Sequence, residues 1–227
     1  NEVQLWAMVL EPPILVCDTA GTTFYSAAVR LKLDIDLLDT SLAPTVLPGL
    51  EVDVTVTDLE LYAVVGRAEG TIQSVDLVSP EVVIDAEPGI VDLYVGQIPD
   101  GVFFDRTETI DPATELDHAV VGNVAFTAGL LNGTVDLGVK TFGTGAAPST
   151  TMLTFNGPFP ETQTVTTSPT FVADLLDDLV ANLDIEFDIS SLSPALQAAI
   201  NLILAQVTAA IGALLDTLLT PVLEMIL

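Results

Sequence analysis

From about residue 3 to residue 167, apolar and polar residues alternate with a period of two. Leu31, Leu33 and Ile35 alternate with Lys32, Asp34 and Asp36, and Val52, Val54 and Val56 alternate with Asp53, Thr55 and Thr57. Successive side chains of a strand point to opposite sides, so this pattern predicts strands with one apolar and one polar face. After Thr57 the phase slips, and Leu59 and Leu61 become the apolar positions. A bulge or strand break near Asp58 is expected there. Further strands are expected at about 68–78, 81–86, 90–96, 119–128, 133–142, 150–156 and 162–167. Pro48-Gly49, Pro88-Gly89, Pro99-Asp100-Gly101 and Asn156-Gly157-Pro158 mark turns between several of them, and Asn132-Gly133 predicts a hairpin turn. Many short strands at this spacing favour antiparallel β structure, as a sandwich or one large curled sheet.

The period changes at Ser168-Pro169, which reads as an N-cap and first helical residue. Phe171, Leu175, Leu176, Leu179, Val180 and Leu183 then form the apolar stripe of a helix ending near Leu183. Ile185, Phe187 and Ile189 alternate with Asp184, Glu186 and Asp188, which predicts one more short strand. Ser193-Pro194 opens a long helix expected to run to about Leu219, before Thr220-Pro221 ends or kinks it. The expected fold class is therefore α+β. A mainly antiparallel β domain over 1–167 precedes a helical region over 168–227, which packs on the sheet or on neighbouring subunits.

The last helix contains no charge over the 27 residues from Ile189 to Leu215. That length is enough to cross a bilayer. Gln197, Asn201, Gln206 and Thr208 interrupt it, however, and its ends lack basic residues and an aromatic belt. A helix that is apolar over most of its circumference must be covered nearly all round. The favoured cover is its own sheet together with like helices of other subunits, giving a homo-oligomer or a helical filament. The stripe expected to self-associate is Leu196, Ala199, Ile200, Ile203, Val207, Ile211, Leu214 and Leu218. Membrane contact through residues 194–219 is the less favoured alternative.

Composition narrows the function. Half of the residues are apolar, only 16% are charged, and five Lys plus Arg stand against 32 acids, a net charge of −27. Such a surface repels nucleic acid and anionic lipid, whose phosphates need bases to replace their counterions. It suits a medium in which ions screen or bridge carboxylates. Cys17, the single cysteine, follows Ile14, Leu15 and Val16, so a buried inert thiol is expected, with an intermolecular disulfide as the alternative. The chain begins at Asn1 and ends in an apolar run to Leu227, as expected of a piece processed from a longer product.

The sequence carries no CxxC, HExxH, GxSxG or phosphate-loop motif, and its single histidine, His118, has no evident nucleophile beside it. No catalytic or cofactor-binding residues are expected. Asp184, Glu186 and Asp188 share one face of the predicted strand, with Asp174, Asp177 and Asp178 on the helix before it. Clustered carboxylate oxygens suit calcium, so Asp184, Glu186 and Asp188 are the candidate metal ligands, weighed against a solvated acidic face.

Residues 29–38 (VRLKLDIDLL), 59–76 (LELYAVVGRAEGTIQSVD) and 87–96 (EPGIVDLYVG) resemble the extracytoplasmic part of TadG-like proteins, a membrane-tethered group associated with tight-adherence pilus assembly. The leucine-rich run over 214–223 (LLDTLLTPVL) is similar to that family's C-terminal leucine-rich helix. The cysteine that often follows the family's second strand pair is replaced here by Leu77 and Val78 after Asp76. The resemblance implies a location at the bacterial envelope or surface and a structural part in an appendage, and it implies no catalytic residues. The expected function is a non-enzymatic structural or assembly subunit. The alternatives are an envelope-tethered module for an apolar ligand and a calcium-dependent surface adhesin or coat protein.

Overall fold

A computed structural model describes residues 2–42, 50–89, 91–128, 131–145, 149–165, 171–187, 208–209, 211–213 and 217. The described residues form a mainly antiparallel β protein with few helices, in two sheets. The larger sheet contains β1 (Glu2–Glu11), β3 (Ala28–Leu42), β4 (Leu50–Val65), β7 (Val91–Val95), β8 (Ala119–Ala128), β9 (Leu131–Thr144) and β11 (Asp184–Phe187). The smaller runs β10 (Thr151–Asn156), β6 (Glu81–Glu87), β5 (Glu69–Asp76), β2 (Thr23–Tyr25). Each of these ladders is antiparallel.

The long strands β4 and β9 organise the large sheet. β7 pairs with one end of β4 (Leu61↔Val95) and β8 with the other (Val56↔Gly122), so β7 and β8 lie end to end between β4 and β9. The phase slip seen in the sequence falls where β4 changes partner. The β3–β4 register shifts between Asp36↔Asp58 and Thr40↔Val56. This shift turns Val54 and Val56 to the same side as Leu59, Leu61 and Ala63, and all five are buried in one cluster. Without it, one half of β4 would present its valines to the wrong face.

Two cores sit on opposite faces of this sheet. On one face, Leu33, Leu61, Leu93, Val95, Val124, Leu137 and Val139 pack beneath α2 (Phe171–Ala181), through Phe171, Leu175, Leu176 and Leu179. On the other, Tyr62 and Tyr94 pack against Ile98, Phe103, Ile110 and Leu116, which belong to the excursion between β7 and β8. That excursion contains α1 (Asp100–Phe103). Each fully buried Leu, Val or Phe contributes about 1.5–3 kcal/mol of apolar transfer, so both faces are bound to the fold by burial.

Several local expectations are corrected. Asn132 and Gly133 lie inside β9, opposite Thr127 and Phe126, and the β8–β9 ladder continues to Ala128↔Leu131. The pairing that buries Val124 against Val135 and Leu137 sets this register. Residues 162–165 are not a strand. Cys17 is exposed, not buried. Pro12-Pro13 ends β1, and beyond it only Ile14 pairs back, with Tyr25, which leaves Leu15 and Cys17 on the surface.

Candidate functional site

α2 is seated on β9 by small residues and by hydrogen bonds. A Cβ at Gly143 would lie 2.8 Å from the Leu175 carbonyl oxygen, and one at Gly145 would lie 2.5 Å from the Phe171 ring. The Thr141 hydroxyl donates to the Leu179 carbonyl, and Asn182 Nδ2 donates to the Phe142 carbonyl at 3.0 Å. The described residues of the C-terminal segment come to this place. Ile211 is 3% exposed and belongs to the same core, and a Cβ at Gly212 would lie 3.6 Å from Val180. Ala209, Ala213 and Thr217, four residues apart, are exposed. Ile211, expected at a subunit contact, is thus taken by the chain's own core, in the cluster that also buries Leu175, Leu176 and Leu179 of α2. Leu196, Ala199, Ile200, Ile203, Val207, Leu214 and Leu218 lie outside the described residues.

Arg30 organises the opposite face. Alternation along β3 puts it on the side away from Leu31 and Leu33, under the excursion, where it is 4% exposed. Its Nη1 donates to the carbonyls of Phe103 (2.7 Å) and Asp105 (2.8 Å), with a longer contact to Val102 (3.5 Å), and Nη2 donates to Glu108 (2.6 Å). The guanidinium also lies 5.7 Å from the centre of the Phe103 ring. Burial lowers its pKa, opposed by Tyr94, Asp105 and Glu115. Beside it, the Tyr62 hydroxyl donates to Glu60 (2.5 Å), and burial and then that bond push its pKa up to about 12. Sequence reasoning did not single out Arg30; the signal was a base at a position whose neighbours in the pattern face a sheet.

Where β7 ends and β8 begins, the sheet has a notch. Gly96 turns the chain out of β7 at φ 141°, a conformation that L side chains rarely adopt, and a Cβ there would meet the Asp117 carbonyl at 2.7 Å. Asp34, Asp36, Asp58 and Glu60 line the resulting cavity of about 420 Å³ with Gln97 and His118. Its field attracts cations and repels anions. His118 lies between two carboxylates of β11, with Nε2 3.3 Å from Asp184 and Nδ1 3.2 Å from Glu186, while Lys140 is 4.0 Å from Asp184. Of the candidate calcium ligands, the structure brings Asp184 and Glu186 to His118, on either side of its ring. Asp188 lies outside the described residues. Among the described residues, no group of three or more His, Cys, Asp or Glu is placed to hold a metal ion.

The small sheet carries the apolar surface. At one end of β5 and β6, Phe24, Ile84, Ala86, Leu153, Phe155 and Val165 line a groove of about 370 Å³, rimmed by Glu69, Glu87 and Gln163. The tip of the Phe24 ring lies against Gly70, where a Cβ would meet it at 2.3 Å. At the other end, the β5–β6 turn exposes Leu77 (88%) and Val78 (94%). The Gly157 amide bonds the Pro80 carbonyl at 2.9 Å, which brings the loop carrying the exposed Phe159 to the same end.

Among the described residues, no helix is long and apolar enough to cross a membrane, which says nothing of spans built from strands. The class that fold and surface define is a two-sheet antiparallel β protein with a helical cover. No protein-family model, no curated protein and no solved structure matches the chain.

Proposed function

We propose that this chain is a non-enzymatic structural or assembly subunit of a bacterial cell-surface appendage or extracellular matrix, which works by self-association. The observation that carries the reading is the apolar tip of the small sheet. Leu77 and Val78 are almost fully exposed at the end of the small sheet to which the Gly157–Pro80 bond brings the loop carrying Phe159, on a chain with a net charge of −27. Single exposed apolar residues are ordinary, whereas a contiguous group marks a contact surface. The resemblance of residues 29–38, 59–76 and 87–96 to TadG-like proteins supports the same setting. In the C-terminal segment the exposed Ala209, Ala213 and Thr217 replace Ile211 as the residues offered to a neighbour. Acidic outer faces keep the unassembled chain soluble, and calcium, by bridging carboxylates, assists their approach.

Electron microscopy and sedimentation of the purified chain, with and without EDTA, test this. Regular filaments or higher-order oligomers are expected, and their loss in EDTA would add calcium to the reading. Monodisperse monomers under both conditions would refute it. A second reading, a module for an apolar ligand, is favoured by the groove under Phe24 and Phe155. It places the ligand on the small sheet. Saturable enhancement of an apolar fluorescent dye, abolished by filling the groove with Ala86→Trp, would support it over assembly.

A further inference from the structure

We infer that the outer edge of β1 is a strand-pairing site for β1 of a second copy of this chain. The inference rests on the reading of the chain as a self-associating subunit and names one of its contacts.

A sheet edge presents unpaired amides and carbonyls, and proteins ordinarily cover, shorten or charge it. The other edges here are managed in these ways. β11 is four residues long and carries Asp184 and Glu186. β2 is three residues long, and Ile14 pairs with Tyr25 through bonds of 3.0 and 3.3 Å. β10 is covered by the segment that follows it: Gln163 Nε2 donates to the Thr154 carbonyl, and the Asn156 amide donates to Glu161 at 2.7 Å. Among the described residues, none of these devices falls on β1 between Leu5 and Leu10. β1 is ten residues long and ends the strand order of its sheet. Among the described residues, no backbone hydrogen bond outside the β1–β3 ladder involves Leu5 to Leu10. One face beside this edge is apolar and open, with Leu5 61% and Val9 48% exposed; on the other, Trp6 is 40% exposed, with the Lys32 ammonium 5.5 Å from the centre of its ring.

Charge selects the occupant. Between Glu2 and Glu11 the strand has eight uncharged residues, Val3 to Leu10, in a chain whose net charge is −27. Two such chains repel over most of their surfaces, and this edge is a place where their backbones can meet without opposing carboxylates. An antiparallel pair of β1 strands centred near Ala7 would be a two-fold contact. Its strip is about 27 Å long and roughly 10 Å wide, on the order of 300 Å² per partner, against the roughly 800 Å² of a standard stable interface. The β1 pair is therefore one contact of an assembly, strengthened by a second contact elsewhere and by added salt, which screens the repulsion.

Sedimentation of the full chain from dilute to near-saturating concentration, at low and high salt, tests this. Mass is expected to rise with concentration and with salt. Ala7→Glu should weaken association by about tenfold, because the two-fold places the new charge opposite its copy, and Leu5→Glu should weaken it similarly, because the charge would face Val9 of the second copy in an apolar contact. Far-UV circular dichroism checks that both variants keep the fold. In a Cys17→Ser background, Ala7→Cys should yield disulfide dimers on mild oxidation, and Val120→Cys, exposed away from the edge, should not. Wild-type assembly with unchanged Glu variants and no Ala7→Cys dimers would overturn the edge contact while leaving the subunit reading intact. A wild-type chain that stays monomeric at every concentration, with no cross-linking, would overturn both.

Discussion

Replacing Arg30 with methionine removes the donors that hold the excursion between β7 and β8 while keeping most of the side-chain volume. Three short bonds are lost, to Phe103, Asp105 and Glu108. Asp105 and Glu108 are exposed, so water replaces those two bonds at about 1 kcal/mol each. Phe103 is fully buried, and its carbonyl left without a donor costs about 1–3 kcal/mol. Freeing the structure of a buried guanidinium returns part of this. The net expectation is about 3 kcal/mol, or a fall in Tm of roughly 6–12 °C for a chain of this size. Urea denaturation followed by circular dichroism measures the loss, and hydrogen exchange locates it: amides of the excursion should exchange faster, and those of β9 should not. Arg30→Lys, a point charge in place of a fork, should fall between. A methionine variant as stable as the wild type, with unchanged exchange in the excursion, would refute the clamp and reduce Arg30 to a space-filling residue.

Other substitutions probe other levels of the structure. At Gly122 a Cβ would lie 1.9 Å from the Thr55 carbonyl oxygen, so Gly122→Ala should cost at least as much as overpacking a core, about 1–3 kcal/mol, read from the urea midpoint. Leu179 is fully buried under α2, and Leu179→Ala should cost about 2–5 kcal/mol, with a matching rise in exchange along α2. Burial raises the pKa of Asp92, opposed by the Thr144 hydroxyl, and its Oδ1 has no partner. Its folded pKa exceeds its unfolded one, so this carboxyl favours the fold while protonated, and that contribution is lost as pH rises from the ordinary aspartate range through the raised value. Asp92→Asn should therefore raise Tm at neutral pH and leave it little changed in acid, where the wild-type carboxyl is itself protonated; a lower Tm at neutral pH would contradict this.

Much of the architecture is written in local periodicity. The alternation of Leu31, Leu33 and Ile35 with Lys32, Asp34 and Asp36, the phase slip near Asp58 and the stripe of Phe171, Leu175 and Leu179 each reappear as strand, register shift and helix. Each depends on residues within a few positions of one another, and the backbone repeats of 2.0 and 3.6 turn spacing into faces. The acidity of the outer surface was legible in the same way.

Long-range pairing decided the rest. Which strand lies beside which, and hence that β7 and β8 lie end to end and open an acidic notch, depends on contacts between residues far apart in the chain. So does the fate of single side chains. Arg30 is buried because the excursion folds over it, His118 meets Asp184 and Glu186 only through the β9–β11 pairing, and Ile211 joins the core that α2 covers. Cys17, apolar in its neighbours, is exposed, because none of the described residues is packed over it. A sequence determines which faces of its elements are apolar; which of those faces are covered, and which edges stay open, is settled only when the elements compete for one another in three dimensions.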